Sequence, residues 1–439
     1  MFIDHIDIIN GTINRTVNQG GFYPRSDLRA LALTCRRFAK PCQRILFRTI
    51  QLDTPQMVHR FYLSLIYNPE LANFVKVLQV ADDLNENWVM YDEALPILLR
   101  TMVQVEDFSL NNFTKCCYAL SPEDAMDYES DDDEEDESED KLVGDEIVWR
   151  QRWTYLPQET QAAFMQIFSL PSLRQLSVAE LSDIPMSFFG TIGNLERLAL
   201  LDVTFRDVEG FEVNAIFACR RSFHTLEIGI DNADEQFNHI LWHPLSYFAT
   251  VSRLVVRISN VGQEHNATIA SQIMRKSAST LKHIVWNEQS IRSFFPKCTI
   301  PIAFQAPDYI ENLTFKMDLA ASESEAHVEF NWRIFKLTDI LLNQGIRRSM
   351  RLLKICVKGI DEIENLSLFA DAPCWKPLDN LLAASEVAVE VILYTKEKAL
   401  IDQDERWKEI LGGNMPLLQG QDLFSASIDF DGNEYYSGY

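Results

Sequence analysis

VSRLVVRISN, residues 251–260, sets Val251, Leu254 and Val256 at positions 0, +3 and +5 of a unit. Thirty residues later LKHIVWNE, residues 281–288, repeats the spacing with Leu281, Ile284 and Trp286. The same apolar triplet recurs upstream as Val75/Leu78/Val80, Val105/Phe108/Leu110, Leu173/Leu176/Val178, Leu195/Leu198/Leu200 and Phe223/Leu226/Ile228. Downstream it recurs as Ile310/Leu313/Phe315, Leu352/Ile355/Val357 and Val389/Ile392/Tyr394. The first members of the ten units are separated by 30, 68, 22, 28, 28, 30, 29, 42 and 37 residues. Residues two apart share one side of a strand, so the +3 and +5 side chains point to one core, and the residue at 0 enters that core from the preceding turn.

A triplet of this kind at a period in the twenties is the rhythm of leucine-rich repeats. It predicts an α/β chain built as a leucine-rich-repeat-like solenoid over 51–394, with parallel strands and helices on the convex side. An array of that type is a curved binding surface rather than a pocket for chemistry. Helix-capable stretches at 55–67, 156–168 and 268–279 fit strand–helix units. The 68-residue gap returns to the common period once an insert of roughly forty residues is removed. That insert is the stretch 121–146, which includes SDDDEEDESED and is expected to be disordered. The 42- and 37-residue gaps predict longer loops near 320–329 and 361–377, or a missed irregular repeat. Beyond Tyr394, the region 395–439 reads as a closing helix, KEKALIDQDERWKEIL, and a frayed tail from Gly432.

With 47% apolar residues the chain has the material for a substantial core, and no run of 18 apolar residues is present to span a bilayer. No membrane partner is expected. The opening MFIDHIDIIN carries acids where a secretory leader carries positive charge. Eight cysteines without a CxxC pair do not form a disulfide or zinc framework, which points to the cytoplasm or the nucleus. The formal net charge of −24 is uneven. Residues 123–146 hold fifteen acids and one lysine, a balance of −14, so the rest of the chain sums to −10.

No organised catalytic motif is present. GxxxxGK, GxGxxG, GxSxG and HExxH are all absent. His239 and His243 share a helical face but have no third ligand in view, and Pro244 comes directly after them. Asp429, Asp431, Gly432 and Asn433 fail as a calcium loop because the glycine comes one place early. No catalytic residue, metal or cofactor is assigned, and a non-enzymatic role is expected.

Residues 1–50 differ in character from the remainder of the chain. They carry eight Arg/Lys (Arg15, Arg25, Arg29, Arg36, Arg37, Lys40, Arg44, Arg48) against Asp4, Asp7 and Asp27, a balance of +5. Ile3, Ile6, Ile9 and Ile13 suit one helical face, and Ser26 caps a second helix that is expected to run through Phe38. Pro41 then opens a last turn with Cys42, Ile45, Leu46 and Phe47. The run SDLRALALTCRRFAKPCQRILFRTIQL resembles the second half of an F-box, as found in fungal F-box proteins. Asp27-Leu28, Leu31, Leu33, Cys35-Arg36 and Phe38 match the family's apolar run in order, and Leu46-Phe47 matches its closing pair. The family's Leu-Pro opening is absent, and the polar stretch 10–23 is longer than usual.

The resemblance implies a substrate-receptor subunit of an SCF-type ubiquitin ligase. Leu28, Leu31, Leu33, Cys35 and Phe38 would dock the acidic Skp-type adaptor, which joins a cullin, and the repeats would hold the target. Transfer chemistry would belong to other subunits. A second reading leaves these apolar residues as a cap on the first repeat.

The +2, +4 and +6 positions of each unit face away from the core. From Val75 to Leu352 their charged members are Arg197, Arg253, Arg257, Lys316, Lys354 and Lys358, against Asp107 and Glu227. His283, Asn287, Asn312 and Thr314 add hydrogen-bonding groups. This pattern predicts a basic stripe for an acidic or phosphorylated target, with a solvated strand face as the alternative. Nucleic acid is not an expected partner, since the hundred residues after the basic head are not basic. Ser130, with acids at +1, +2 and +3, resembles an acidophilic kinase site. Two other roles stay open: a repeat scaffold that works without a ligase, and an acidic-tract binder of basic nuclear proteins such as histones.

Overall fold

The computed structural model describes residues 25–34, 36–81, 88–111, 151–193, 195–206, 224–229, 240–241, 243, 246–258, 263–288, 310–319, 323–343, 349–360 and 363–430. The chain is α/β, and it divides into two compact units, Met1–Gly193 with Phe205–Glu209 and Asn194–Thr204 with Gly210–Tyr439.

The described part of the first unit begins with helices α1 (Arg25–Thr34) and α2 (Arg36–Leu46). Residue 35, between these two helices, lies outside the described residues, helix resumes at Arg36 and passes Phe38, and Pro41 sits inside α2 rather than at the start of a new turn. The one ladder bond that Pro41 removes is the one to the Arg37 carbonyl, and the turns on either side hold α2 together without it. Strands β1 (Thr49–Leu52), β2 (Val77–Ala81), β3 (Asp107–Asn111) and β4 (Gln175–Ala179) then pair in parallel, in sequence order. Between them lie α3 (Pro55–Tyr67), α4 (Ala94–Thr101) and α5 (Gln158–Phe168). Thr54 Oγ1 accepts the Met57 amide at the start of α3, with Pro55 in the first helical position. Asp92 Oδ1 accepts the Ala94 and Leu95 amides at the start of α4, each at 2.8 Å. Leu78, Val80, Phe108, Leu110, Leu176 and Val178 are each 1% exposed or less. Behind β3 and β4 the rings of Phe108, Trp153, Phe164 and Phe168 meet with centroids 5.9–6.4 Å apart.

The second unit continues the pattern through β5 (Arg197–Leu201), β6 (Thr225–Gly229), β7 (Arg253–Ile258), β8 (His283–Glu288), β9 (Asn312–Asp318), β10 (Leu352–Lys358), β11 (Ala388–Thr395) and β12 (Phe424–Phe430). All are parallel, each paired with its neighbour in sequence order. Helix α6 (Gln263–Lys276) joins β7 to β8. The long gaps are filled by helices, not by the loops expected near 320–329 and 361–377: α7 (Glu323–Asn343) precedes β10, and α8 (Ile363–Ala370) and α9 (Trp375–Ala383) precede β11. Phe330 of α7 packs against Phe369 and Trp375 at 5.2 and 5.4 Å. The region after Tyr394 holds more than a closing helix. After α10 (Asp404–Asn414) and α11 (Pro416–Gly420), β12 adds a further parallel strand.

A repeated seam joins consecutive units. From β1 to β4 and from β5 to β10, the carbonyl of the +1 residue accepts two amides from the next unit. Arg48 O takes Lys76 N and Val77 N, Lys76 O takes Glu106 N and Asp107 N, and Ser252 O takes Lys282 N and His283 N. A hydroxyl just before three of the units reaches back to the 0-position carbonyl of the previous one. These bonds are Ser172 Oγ to Val105 O at 2.8 Å, Thr280 Oγ1 to Val251 O at 2.9 Å and Ser349 Oγ to Ile310 O at 3.1 Å.

The seam corrects two frames. Ser349 and Arg351 bracket Met350, which is 4% exposed, so the β10 unit runs Met350/Leu353/Ile355, two residues earlier than Leu352/Ile355/Val357. In β11, Leu353 pairs with Val389 and Ile355 with Val391, so Val389, Val391 and Leu393 face the core. Ile392 and Tyr394 lie on the other side, contrary to the Val389/Ile392/Tyr394 frame. The cause is visible in burial: Val391, Ile392 and Leu393 are all 3% exposed or less, so alternation disappears there. At the end of β10, Gly359 adopts φ +94°, and a Cβ there would lie 2.7 Å from Leu319 O.

Candidate interaction faces

In the first unit, α2 is anchored through one side only. Cys42 and Phe47 are buried, Phe47 stacks on Phe61 at 6.2 Å, Lys40 pairs with Glu70 at 3.0 Å, and Arg44 lies over the Phe74 ring at 5.6 Å. Elsewhere the two helices leave apolar side chains exposed. Leu31, Leu33, Phe38 and Ile45 are 41%, 54%, 48% and 59% exposed, while Leu28 is half-buried. Of the expected docking residues, Leu31, Leu33 and Phe38 therefore present their apolar surface to solvent. Cys35 lies outside the described residues, as do the helix expected from Ile3 to Ile13, the insert with Ser130, and His239.

In the second unit the +2, +4 and +6 residues share one sheet face, as expected, and the register fixes their neighbours. One row runs Arg197, Thr225, Arg253, His283, Asn312 across β5 to β9. The next row is Ala199, Glu227, Val255, Val285, Thr314, Lys354, Glu390. The third includes Arg257, Asn287, Lys316, Cys356 and Ile392. Parallel strands lie about 4.8 Å apart and rise about 3.3 Å per residue, so diagonal neighbours two residues along are about 8 Å apart. Glu227 thus has an arginine at three of its four diagonals: Arg197, Arg253 and Arg257.

The stripe is less uniformly basic than its composition implies. The Glu227 carboxylate is 1% exposed and accepts from Arg197 Nη2 and Arg257 Nε, whose side chains are 13% and 21% exposed. Lys354 pairs with Glu390 at 3.3 Å. The strands β11 and β12 bring Glu390 and Asp429 onto this face, two acids outside the units counted from the spacing. Asn312 Nδ2 donates to His283 Nδ1 at 2.9 Å. Arg253 is exposed. Burial holds the Lys316 ammonium below the usual lysine range, and the nearby Arg257 and Arg253 push it the same way. Burial also raises the Cys356 thiol to about 11, against the pull of Lys354 and Lys316, so it carries no thiolate near neutral pH. Asn287 is 4% exposed, and its Oδ1 accepts no hydrogen bond.

The arrangement holds cations over an aliphatic floor of Ala199, Val255 and Val285. Sequence reasoning finds the cations but misses the partners on the last two strands, one of which it does not read as a strand and the other of which it reads in the wrong frame. Among the described residues no helix is long and apolar enough to cross a membrane. In comparisons with known proteins, the chain matches no family model and no curated protein.

Proposed function

We propose that this chain is a non-catalytic substrate receptor of an SCF-type ubiquitin ligase. Helices α1 and α2 dock a Skp-type adaptor bound to a cullin, and the strands form a leucine-rich-repeat-like solenoid whose exposed sheet face holds the protein to be modified. The observation that carries the reading is the exposed apolar surface of α1 and α2. Three residues in the F-box-like register, Leu31, Leu33 and Phe38, are left between 41% and 54% exposed, while α2 is held to the first unit through Cys42, Phe47 and Lys40. Large apolar side chains grouped this way mark a partner surface. The basic surplus of residues 1–50 favours an acidic partner through long-range attraction. The contribution to catalysis is proximity: holding a target beside the charged enzyme raises the effective concentration of its lysines.

The test is co-purification of an adaptor–cullin pair with the full chain and with a Leu31→Asp/Phe38→Asp variant. The wild-type chain is expected to retain the pair and the variant to lose it. Equal recovery by both removes the F-box reading and leaves a repeat scaffold that acts without a ligase.

A further inference from the structure

Helix α7 spans 21 residues, and its two sides differ. Phe330, Ile334, Leu337 and Leu341 are each 2% exposed or less, and Phe330 packs on Phe369 and Trp375. On the other side Val328, Phe335 and Leu342 are 62%, 42% and 53% exposed. Seven residues turn a helix through about 700°, roughly 20° short of two full turns, so these three stand in one row about 10.5 Å apart. Asn331, Trp332, Lys336 and Thr338 flank the row and are half-buried, and Asp339 is exposed. Lys336 Nζ lies 5.9 Å from the centroid of the Trp332 ring. By contrast, the exposed apolar residues of α3, Leu63, Ile66 and Tyr67, fall within little more than one turn.

Two properties of the row fit a second copy of the same chain. The first is symmetry. Phe335 stands seven residues from Val328 and seven from Leu342, so a half-turn perpendicular to α7 at Phe335 lays the row back on itself. Val328 of one copy then meets Leu342 of the other, Phe335 meets Phe335, and Asn331 meets Thr338 on one flank. A twofold interface requires a patch that complements itself in this way. The second property is charge. The arc that includes the row carries one cation, Lys336, and one anion, Asp339, a balance of zero in a chain whose formal total is −24. Two copies that meet here escape much of the repulsion that their totals impose elsewhere.

We infer that α7 is a dimerisation helix, pairing antiparallel with α7 of a second copy about a twofold axis at Phe335. Helices packed along such rows lie about 8–10 Å apart. The row is about 21 Å long and one helix wide, so each copy buries well under the roughly 800 Å² of a standard interface. The pair is therefore weak, with a dissociation constant on the order of 10 μM. The inference does not rest on the receptor reading. Under that reading the pair offers one target two sheet faces at once.

The test is analytical sedimentation of the full-length protein between about 1 and about 100 μM, across which the wild-type mass should pass from one chain toward two. Phe335→Asp should stay a single chain throughout, a weakening of roughly tenfold or more, with its circular-dichroism melt unchanged. Leu63→Asp places the same charge at an equally exposed position of α3 and should pair like wild type. Single cysteines under mild oxidation, read against the wild-type background, then report the geometry. Phe335→Cys should link to itself. Val328→Cys alone and Leu342→Cys alone should not, and a mixture of those two should. Four outcomes overturn the inference: a wild-type chain still single at about 100 μM, Phe335→Asp pairing as well as wild type, Leu63→Asp losing as much, or Val328→Cys linking to itself.

Discussion

Replacing Glu227 by glutamine keeps the shape of the side chain and removes its charge. In the folded protein the carboxylate is 1% exposed and holds two guanidiniums that are themselves 13% and 21% exposed. Hydrogen bonds to charged groups contribute about 1.5–3 kcal/mol each, so two of them set an upper figure of about 6 kcal/mol. The amide retains one acceptor oxygen but turns an NH2 toward the other guanidinium, and both arginines have some access to water in which to relax. These offsets bring the expected loss to about 3 kcal/mol, at the low end for breaking a buried ion pair. For a unit of this size the melting temperature should fall by roughly 6–12 °C. Thermal melts monitored by circular dichroism, with amide exchange of the β5–β7 strands as a local readout, check it. Glu390→Gln is the control: its pair with Lys354 is about a third exposed on both sides, and its loss should cost about 1 kcal/mol or less. A Glu227→Gln protein melting within about 2 °C of wild type, or one no worse than Glu390→Gln, would refute the claim that this carboxylate organises the arginines.

Leu353→Ala should cost about 2–5 kcal/mol and the adjacent Leu352→Ala under about 1 kcal/mol, because only Leu353 faces the core; urea unfolding separates them, and the reverse order would restore the rejected β10 frame. Gly359→Ala should destabilise by about 2 kcal/mol or more, since it forces a side chain onto Leu319 O at a positive φ, and a neutral result would contradict that geometry. Thr280→Val keeps the shape but removes the hydroxyl that reaches Ala249 O, Val251 O and Ser277 O, and should cost about 1 kcal/mol in chemical denaturation. The Glu311 carboxyl is held below its usual 4.5 by its hydrogen bond from Lys282, and Glu106 is held below that value by its bond from Lys76. A lowered folded value means the stabilisation is present above 4.5 and is lost as pH falls through the lowered value. The small stability difference between wild type and Glu311→Gln should therefore be largest near neutral pH and vanish in acid, and a difference that grows on acidification would reverse the assignment.

What the sequence disclosed depended on how cleanly each strand separated its two sides. Units such as Val251/Leu254/Val256 and Leu281/Ile284/Trp286 keep aliphatic and aromatic residues inward, with polar residues on either side of a single valine opposite, and their strands lie where the spacing puts them. At β11 both sides are covered, with Ile392 as buried as its neighbours, and the period-2 signal vanished. At β12 the inward residues include the small Ala426, and serines alternate with it in FSASIDF, so little hydrophobic contrast was left to read. Phe47, Ile50 and Leu52 carry the same 0, +3, +5 spacing ahead of the first recognised unit, but they overlap the F-box-like run and were absorbed by it. The cationic side chains of the sheet face were legible because the alternation assigns them a side. Their neutralisation by Glu227 and Glu390 was not, because pairing across strands depends on register that spacing alone leaves open. The Ser172, Thr280 and Ser349 bonds escaped notice for a similar reason: a hydroxyl in the turn of one unit, bonding to a carbonyl of the unit before, leaves no periodic trace.

Those hydroxyls and the shared carbonyls mean that each unit takes its starting line from the one before it, with no reference to what the chain does in between. Ser172 reaches Val105 O and Arg174 reaches Glu106 O across an interval of nearly seventy residues as readily as Thr280 reaches Val251 O across thirty. The connecting stretches are thereby released from any duty to measure distance. New cargo of almost any length or charge can be spliced between neighbours, and the stack will close behind it in step.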